Sequence, residues 1–157
     1  VTTDVAPVAA DVAAGSGIDP EVRRLRDNAD RVWAVAARRR ALAEEIEATG
    51  EPDSFHRAKA QRLLGEVASH HGFAYHELAN ATEARAGVAA HPRESPQWKS
   101  LIHRSFAAIR RAEAHHQRAA AYTARTVGDE AAAQRHEAAA READGRALSF
   151  VVETRQV

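Results

Sequence analysis

The 157-residue chain contains no cysteine and no methionine. Without cysteine there are no disulfides, no thiolate nucleophile and no Cys-ligated zinc. Aromatic residues make up only 5% of the chain, too few to line a haem pocket comfortably. No apolar run approaches the roughly 20 residues that cross a bilayer, so a membrane partner is not expected. Neither sign of charge is in excess, because 22 basic side chains meet 22 acidic ones. A strong nucleic-acid or membrane-surface binder needs a net basic footprint, which this chain lacks. There is also no glycine-rich phosphate loop and no serine triad in a supporting context. The opening residues carry Asp4 and Asp11 and no basic stretch, a poor signal peptide, so the expected compartment is the cytoplasm.

What the chain has in quantity is alanine, at 38 positions. Alanine buries little area, and at roughly 25 cal/mol per Å² an alanine core accumulates stability slowly. Tight helix approach, and help from self-association, are the expected remedies. Arginine outnumbers lysine 20 to 2, a composition that fits a GC-rich bacterial source.

The patterning predicts an all-α fold. Residues 1–17 are small residues broken by Pro7, Gly15 and Gly17, and read as a mobile N-terminal arm. Residues 18–157 read as one bundle domain. Its first helix opens at Asp19-Pro20, with a stripe of Val22, Leu25, Ala29, Val32, Ala36, Ala43 and Ile46, and closes at Gly50. The second carries Ala60, Leu64, Val67, His71, Ala74, Leu78 and Ala81. The third opens at Ser95-Pro96 and carries Ile102, Phe106, Ile109, Glu113, His116, Ala120, Thr123 and Val127. The fourth follows Gly128-Asp129 and carries Ala132, His136, Ala139, Ala143 and Ala147. Long helices joined by short turns predict an antiparallel, up-down-up-down four-helix bundle. Opposite charge bias in the third and fourth helices favours their pairing.

On this reading His71, Glu113, His116 and His136 stand in core stripes, where ionisable groups need a partner. Hairpin arithmetic sets His71 opposite about residue 114 and His136 within about 6 Å of the level of His116. Glu113-Ala-His115-His116 is a Glu-x-x-His step, and it resembles the step that ferritin-like di-iron carboxylate proteins use on two of their helices. That resemblance implies iron, manganese or zinc held by His71, Glu113, His116 and His136, with a hemerythrin-like site as the related option. A second Glu-x-x-His is absent from the chain. The plainer reading has the imidazoles hydrogen-bonded at the edge of the buried face, with no cofactor. A further option is a protonation switch, because charging several imidazoles near a core loosens packing.

The function expected from these features is non-enzymatic: a structural or interaction module that binds a protein partner or its own copies. The apolar terminus at Phe150, Val151 and Val152 is the expected partner contact. Metal binding is the alternative. Arginines at 38, 39 and 40 and at 104, 110, 111, 118 and 125 keep a nucleic-acid-associated protein as a third reading, although nearby acids offset them.

Overall fold

A computed structural model describes residues 17–154. The expected arm at residues 1–17 therefore lies, except for Gly17, outside the described residues. Four helices follow in order: α1 (Pro20–Ala48), α2 (Ser54–Val88), α3 (Pro96–Thr126) and α4 (Glu130–Thr154). Among the described residues none is in a strand, and no helix is long and apolar enough to cross a membrane.

The ends form where the local chemistry demands. Asp19 Oδ1 accepts from the Glu21 amide at 2.7 Å, ahead of Pro20 in the first turn. Ser95 Oγ accepts from the Trp98 amide at 3.2 Å, ahead of Pro96. Asp129 Oδ1 accepts from the Ala132 amide at 2.9 Å. Each bond satisfies one orphan N–H of a first turn. Gly50 and Gly128 take φ of 64° and 79° after α1 and α3, the left-handed conformation that glycine adopts without penalty. The apolar segment at Phe150, Val151 and Val152 continues α4 rather than leaving it as an extended tail.

The helices pack in chain order. α1 meets α2, α2 meets α3 and α3 meets α4; among the described residues no other pair of helices comes into contact. The arrangement is an open row, without the contact between first and last helices that closes a bundle. The seams are built from small residues. Among the buried apolar side chains of the described residues only Val22, Leu25 and Ile46 are not alanine. Gly72 lets α1 approach so closely that an added Cβ would lie 2.4 Å from Trp33 Nε1.

The two middle helices carry a neighbour on each side, and this overturns part of the expected core. In α2 the buried residues are Ala58, Gly65, Ser69, Gly72, Ala74, Ala79, Ala81 and Ala84. The large apolar residues of its expected core stripe, Leu64, Val67 and Leu78, are exposed or half-buried. In α3, Phe106 is 43% exposed and Val127 79%. Both lateral edges of a middle helix are lined by small residues at the seams, so Leu64, Val67 and Phe106 are left toward an open face, whereas Leu78, with Tyr75, packs on Val22, Leu25 and Ala79.

Candidate functional site

α2 shows how this face arises. Toward α1 it presents Gly65, Ser69, Gly72 and Ala79: Ser69 Oγ accepts from Arg40 at 2.7 Å, Gly72 lies under the Trp33 indole, and Ala79 packs on Val22 and Leu25. Toward α3 it presents His70, His71, Glu77 and Gly87, which meet His115, His116, Arg111 and Leu101. At about 100° per residue, Leu64, His71, Tyr75 and Leu78 fall between these edges on one side of the row. The same reasoning puts Ile102, Ile109, Glu113, His116 and Ala120 of α3 on that side. His70, Phe73 and Glu77 fall on the other side with His115, Arg118 and Tyr122.

The four residues expected to share a metal layer are thus on or beside an open face, not in a core. His71 and His116 do come together, with ring centroids 5.7 Å apart. His136 lines the same shallow groove, with Ala120, Thr123 and Ala124. Its Nδ1 is 2.8 Å from Gln117 Oε1; the amide oxygen accepts, so Nδ1 donates. Glu113 is not brought to the imidazoles: its Oε2 accepts from Arg110 at 2.8 Å, one turn away on the same helix. Among the described residues no three His, Asp or Glu side chains form a group able to hold a metal ion.

The tightest imidazole contact lies one residue earlier on both helices. His70 Nδ1 and His115 Nδ1 are 3.1 Å apart. Around them runs an aromatic chain: Trp33 meets Phe73 edge-on at 5.5 Å, Phe73 stacks on His115 at 5.1 Å, and His70 stacks on Tyr122 at 5.5 Å. The Arg125 guanidinium lies over the Tyr122 ring at 5.6 Å. Burial, then the charges of His115, Arg118 and His71, push the His70 imidazole down to about 4. Burial and Arg118 lower His115, against the pull of Glu77 and Asp144. Burial and the neighbouring His116 lower His71. Each is the penalty for charging a half-buried base.

No family model, curated protein or solved structure matches this chain. The site must be read from its own chemistry.

The charge bias of the last two helices is realised in pairs. Arg118 bonds Asp144, and Arg125 bonds Glu137 at 2.7 Å. Beside the α3–α4 seam, the Phe150 ring meets Phe106 at 5.4 Å. Leu148, at 65% exposure, and Val152, at 55%, remain outside. Of the residues expected to contact a partner, Phe150 is half-buried, and Val151 and Val152 are more than a third exposed.

Proposed function

We propose that this chain is a non-enzymatic helical module that works by self-association. On this reading the up-down-up-down row closes into a complete bundle only when a second copy covers its apolar face. The observation that carries it is the open row itself: among the described residues contacts run between consecutive helices only, while Leu64 and Phe106 stay exposed beside half-buried Val67, Ile102 and Ile109. A contiguous apolar surface of this kind marks an interaction site. The face is large enough. A helix of about 50 Å in a row about 30 Å wide offers on the order of 1,500 Å², against about 800 Å² per partner in a standard interface. Zero net charge means that two copies meet without long-range repulsion. Sedimentation velocity over a hundredfold concentration range tests the reading. A dimer or larger assembly is expected, and a monomer at every concentration would overturn it.

One observation favours a second reading, metal binding. His71, His116 and His136 come from three helices and line one groove, and Gln117 orients the His136 ring as outer-shell partners orient metal-bound histidines. Small rotamer changes would have to converge the three rings on one ion, with Glu113 leaving Arg110 to join them. Elemental analysis of untagged protein is the test. Near-stoichiometric iron, manganese or zinc that disappears in His116→Ala would establish this reading; metal-free protein that resists reconstitution would remove it.

A further inference from the structure

We propose that the α3–α4 seam holds a binding site for a small organic carboxylate, whose oxygens take the place of an anion missing between Arg141 and Tyr122. The site lies within one chain and needs no second copy.

The seam is a ladder of paired charges with one rung incomplete. Arg118 on α3 bonds Asp144 on α4, and Arg125 bonds Glu137 at 2.7 Å. Seven residues forward along α3 thus match seven back along α4, which sets Tyr122 level with Ala140 and beside Arg141. The carboxylates one turn from Arg141 on its own helix, Glu137 and Asp144, are turned across the seam, and Glu142 bonds Arg146. Among the described residues Arg141 makes no hydrogen bond or ion pair, and the Tyr122 hydroxyl hydrogen-bonds no other group.

A cavity of about 420 Å³ opens at this rung, within the size range of small-molecule sites. Its floor is Ala121 and Ala140, both buried, whose methyl groups leave room that larger side chains would fill. Donors converge on it: the Arg141 guanidinium, the Tyr122 hydroxyl, and the N–H groups of Arg118 not used by Asp144. The carboxylate that lines it, Glu137, is matched by Arg125. His70 stacks on the Tyr122 ring at 5.5 Å and holds the phenol in place.

Charge selects the ligand. Across the seam Arg118, Arg125 and Arg141 face Asp144 and Glu137, which leaves one positive charge unmatched. Glu130 also bonds Arg125, at 3.2 Å. It stands eleven residues before Arg141 on α4, roughly 16 Å along the helix, and at that range salt screens it from Arg141. One negative charge is therefore matched, while the second charge of a phosphate monoester would meet Glu137 and Asp144. A guanidinium receives a carboxylate through two parallel N–H···O bonds, and Tyr122 supplies a further donor. The alanine floor takes the apolar body of the acid, so an aryl carboxylate binds better than acetate.

The test is titration of the full chain with sodium benzoate at neutral pH and constant ionic strength, followed by ¹H–¹⁵N NMR. Saturable shifts are expected at residues 118–125 and 137–144, with half-saturation at or below about 1 mM. Acetate should bind at least about fivefold more weakly, and benzylammonium, similar in shape and opposite in charge, should not bind. Arg141→Gln should weaken benzoate at least about tenfold and Tyr122→Phe about threefold. Arg141 is exposed, so its replacement leaves the fold intact, which a matching thermal melt verifies. No saturable shift up to about 10 mM benzoate would overturn the site. So would undiminished binding in Arg141→Gln, or benzylammonium binding as well as benzoate, because the cavity would then be an apolar crevice without a charge requirement. Inorganic phosphate binding more tightly than benzoate would overturn the carboxylate assignment.

Discussion

Gly65 and Gly72 occupy the same edge of α2, two turns apart, and should answer substitution in opposite directions. An added Cβ at Gly65 meets Ala36 and Arg39 at 3.5 Å, ordinary contact distance. Gly65→Ala should therefore stabilise by about 0.5–1 kcal/mol through helix propensity alone. At Gly72 the same Cβ would lie 2.4 Å from Trp33 Nε1, so the indole or the helix has to move. Gly72→Ala should cost about 1–3 kcal/mol of overpacking strain. Urea midpoints of the two variants check the pair, and a rise in both would show that the Trp33 seat constrains nothing. The imidazoles act on the same scale. His70 is held at about 4 when folded, against about 6.5 when unfolded. Below pH 6.5 the unfolded chain binds protons that the folded chain refuses, so stability is full above that pH and is lost as it falls toward pH 4. The whole shift corresponds to about 3 kcal/mol, and solvent screening of a half-exposed ring reduces this to about 1–2 kcal/mol. A urea midpoint that stays constant between pH 7 and pH 4.5 would contradict this assignment.

At the scale of the element, what separates the helices is the number of neighbours. α1 and α4 have one each, α2 and α3 two. Backbone hydrogen bonds in the middle of α2 and α3 should therefore exchange slowest, with the two outer helices opening first as separate units. Hydrogen exchange resolved by residue checks this; uniform protection across all four helices would contradict it. The same difference explains what was legible in the sequence. Every expected α1 stripe residue except Val32 is buried, because a helix with one neighbour uses one stripe and that stripe is the apolar one. α2 and α3 broke the inference. Ala58, Gly65, Ser69, Gly72 and Ala79 mark a line of small residues along α2, the signature of close approach on a second side, but it carries little hydrophobicity and was outweighed by Leu64, Val67 and Leu78. The site followed suit. The expected pairing of His71 with the level of His116 holds, yet the pair stands on the open face. The tighter pair, His70 with His115, lies one residue off the apolar stripe on each helix. The adjacent histidines at 70–71 and 115–116 were the available signal: two on each of two facing helices must place one pair on each side of the seam.

For the whole molecule the question is what covers the apolar face, and substitutions can separate the possibilities. Leu64 on α2 and Phe106 on α3 belong to different helices, make different contacts and lie on the same side of the row. Each is more than a third exposed, so a carboxylate in its place remains solvated in the isolated chain and should change folding stability by less than about 1 kcal/mol. In an assembly buried on that face, the same charge is desolvated without a partner, a cost of several kcal/mol. Leu64→Glu and Phe106→Glu should therefore each weaken association at least about a hundredfold, equivalent to some 2.7 kcal/mol, while leaving helicity unchanged. Arg104→Glu, an exposed position on the opposite side, should leave association unaltered, and removal of residues 148–157, which also strips Phe150 from Phe106, should weaken it less than either carboxylate does. Sedimentation of the four variants beside the wild type distinguishes the cases. If the carboxylates dissociate nothing and the truncation dissociates everything, then the terminus, not the open face, joins the copies. The expected pattern is the reverse, because an interface spread across several helices draws its strength from side chains of more than one helix, Leu64 and Phe106 among them, and the terminus adds Phe150 beside only one of these.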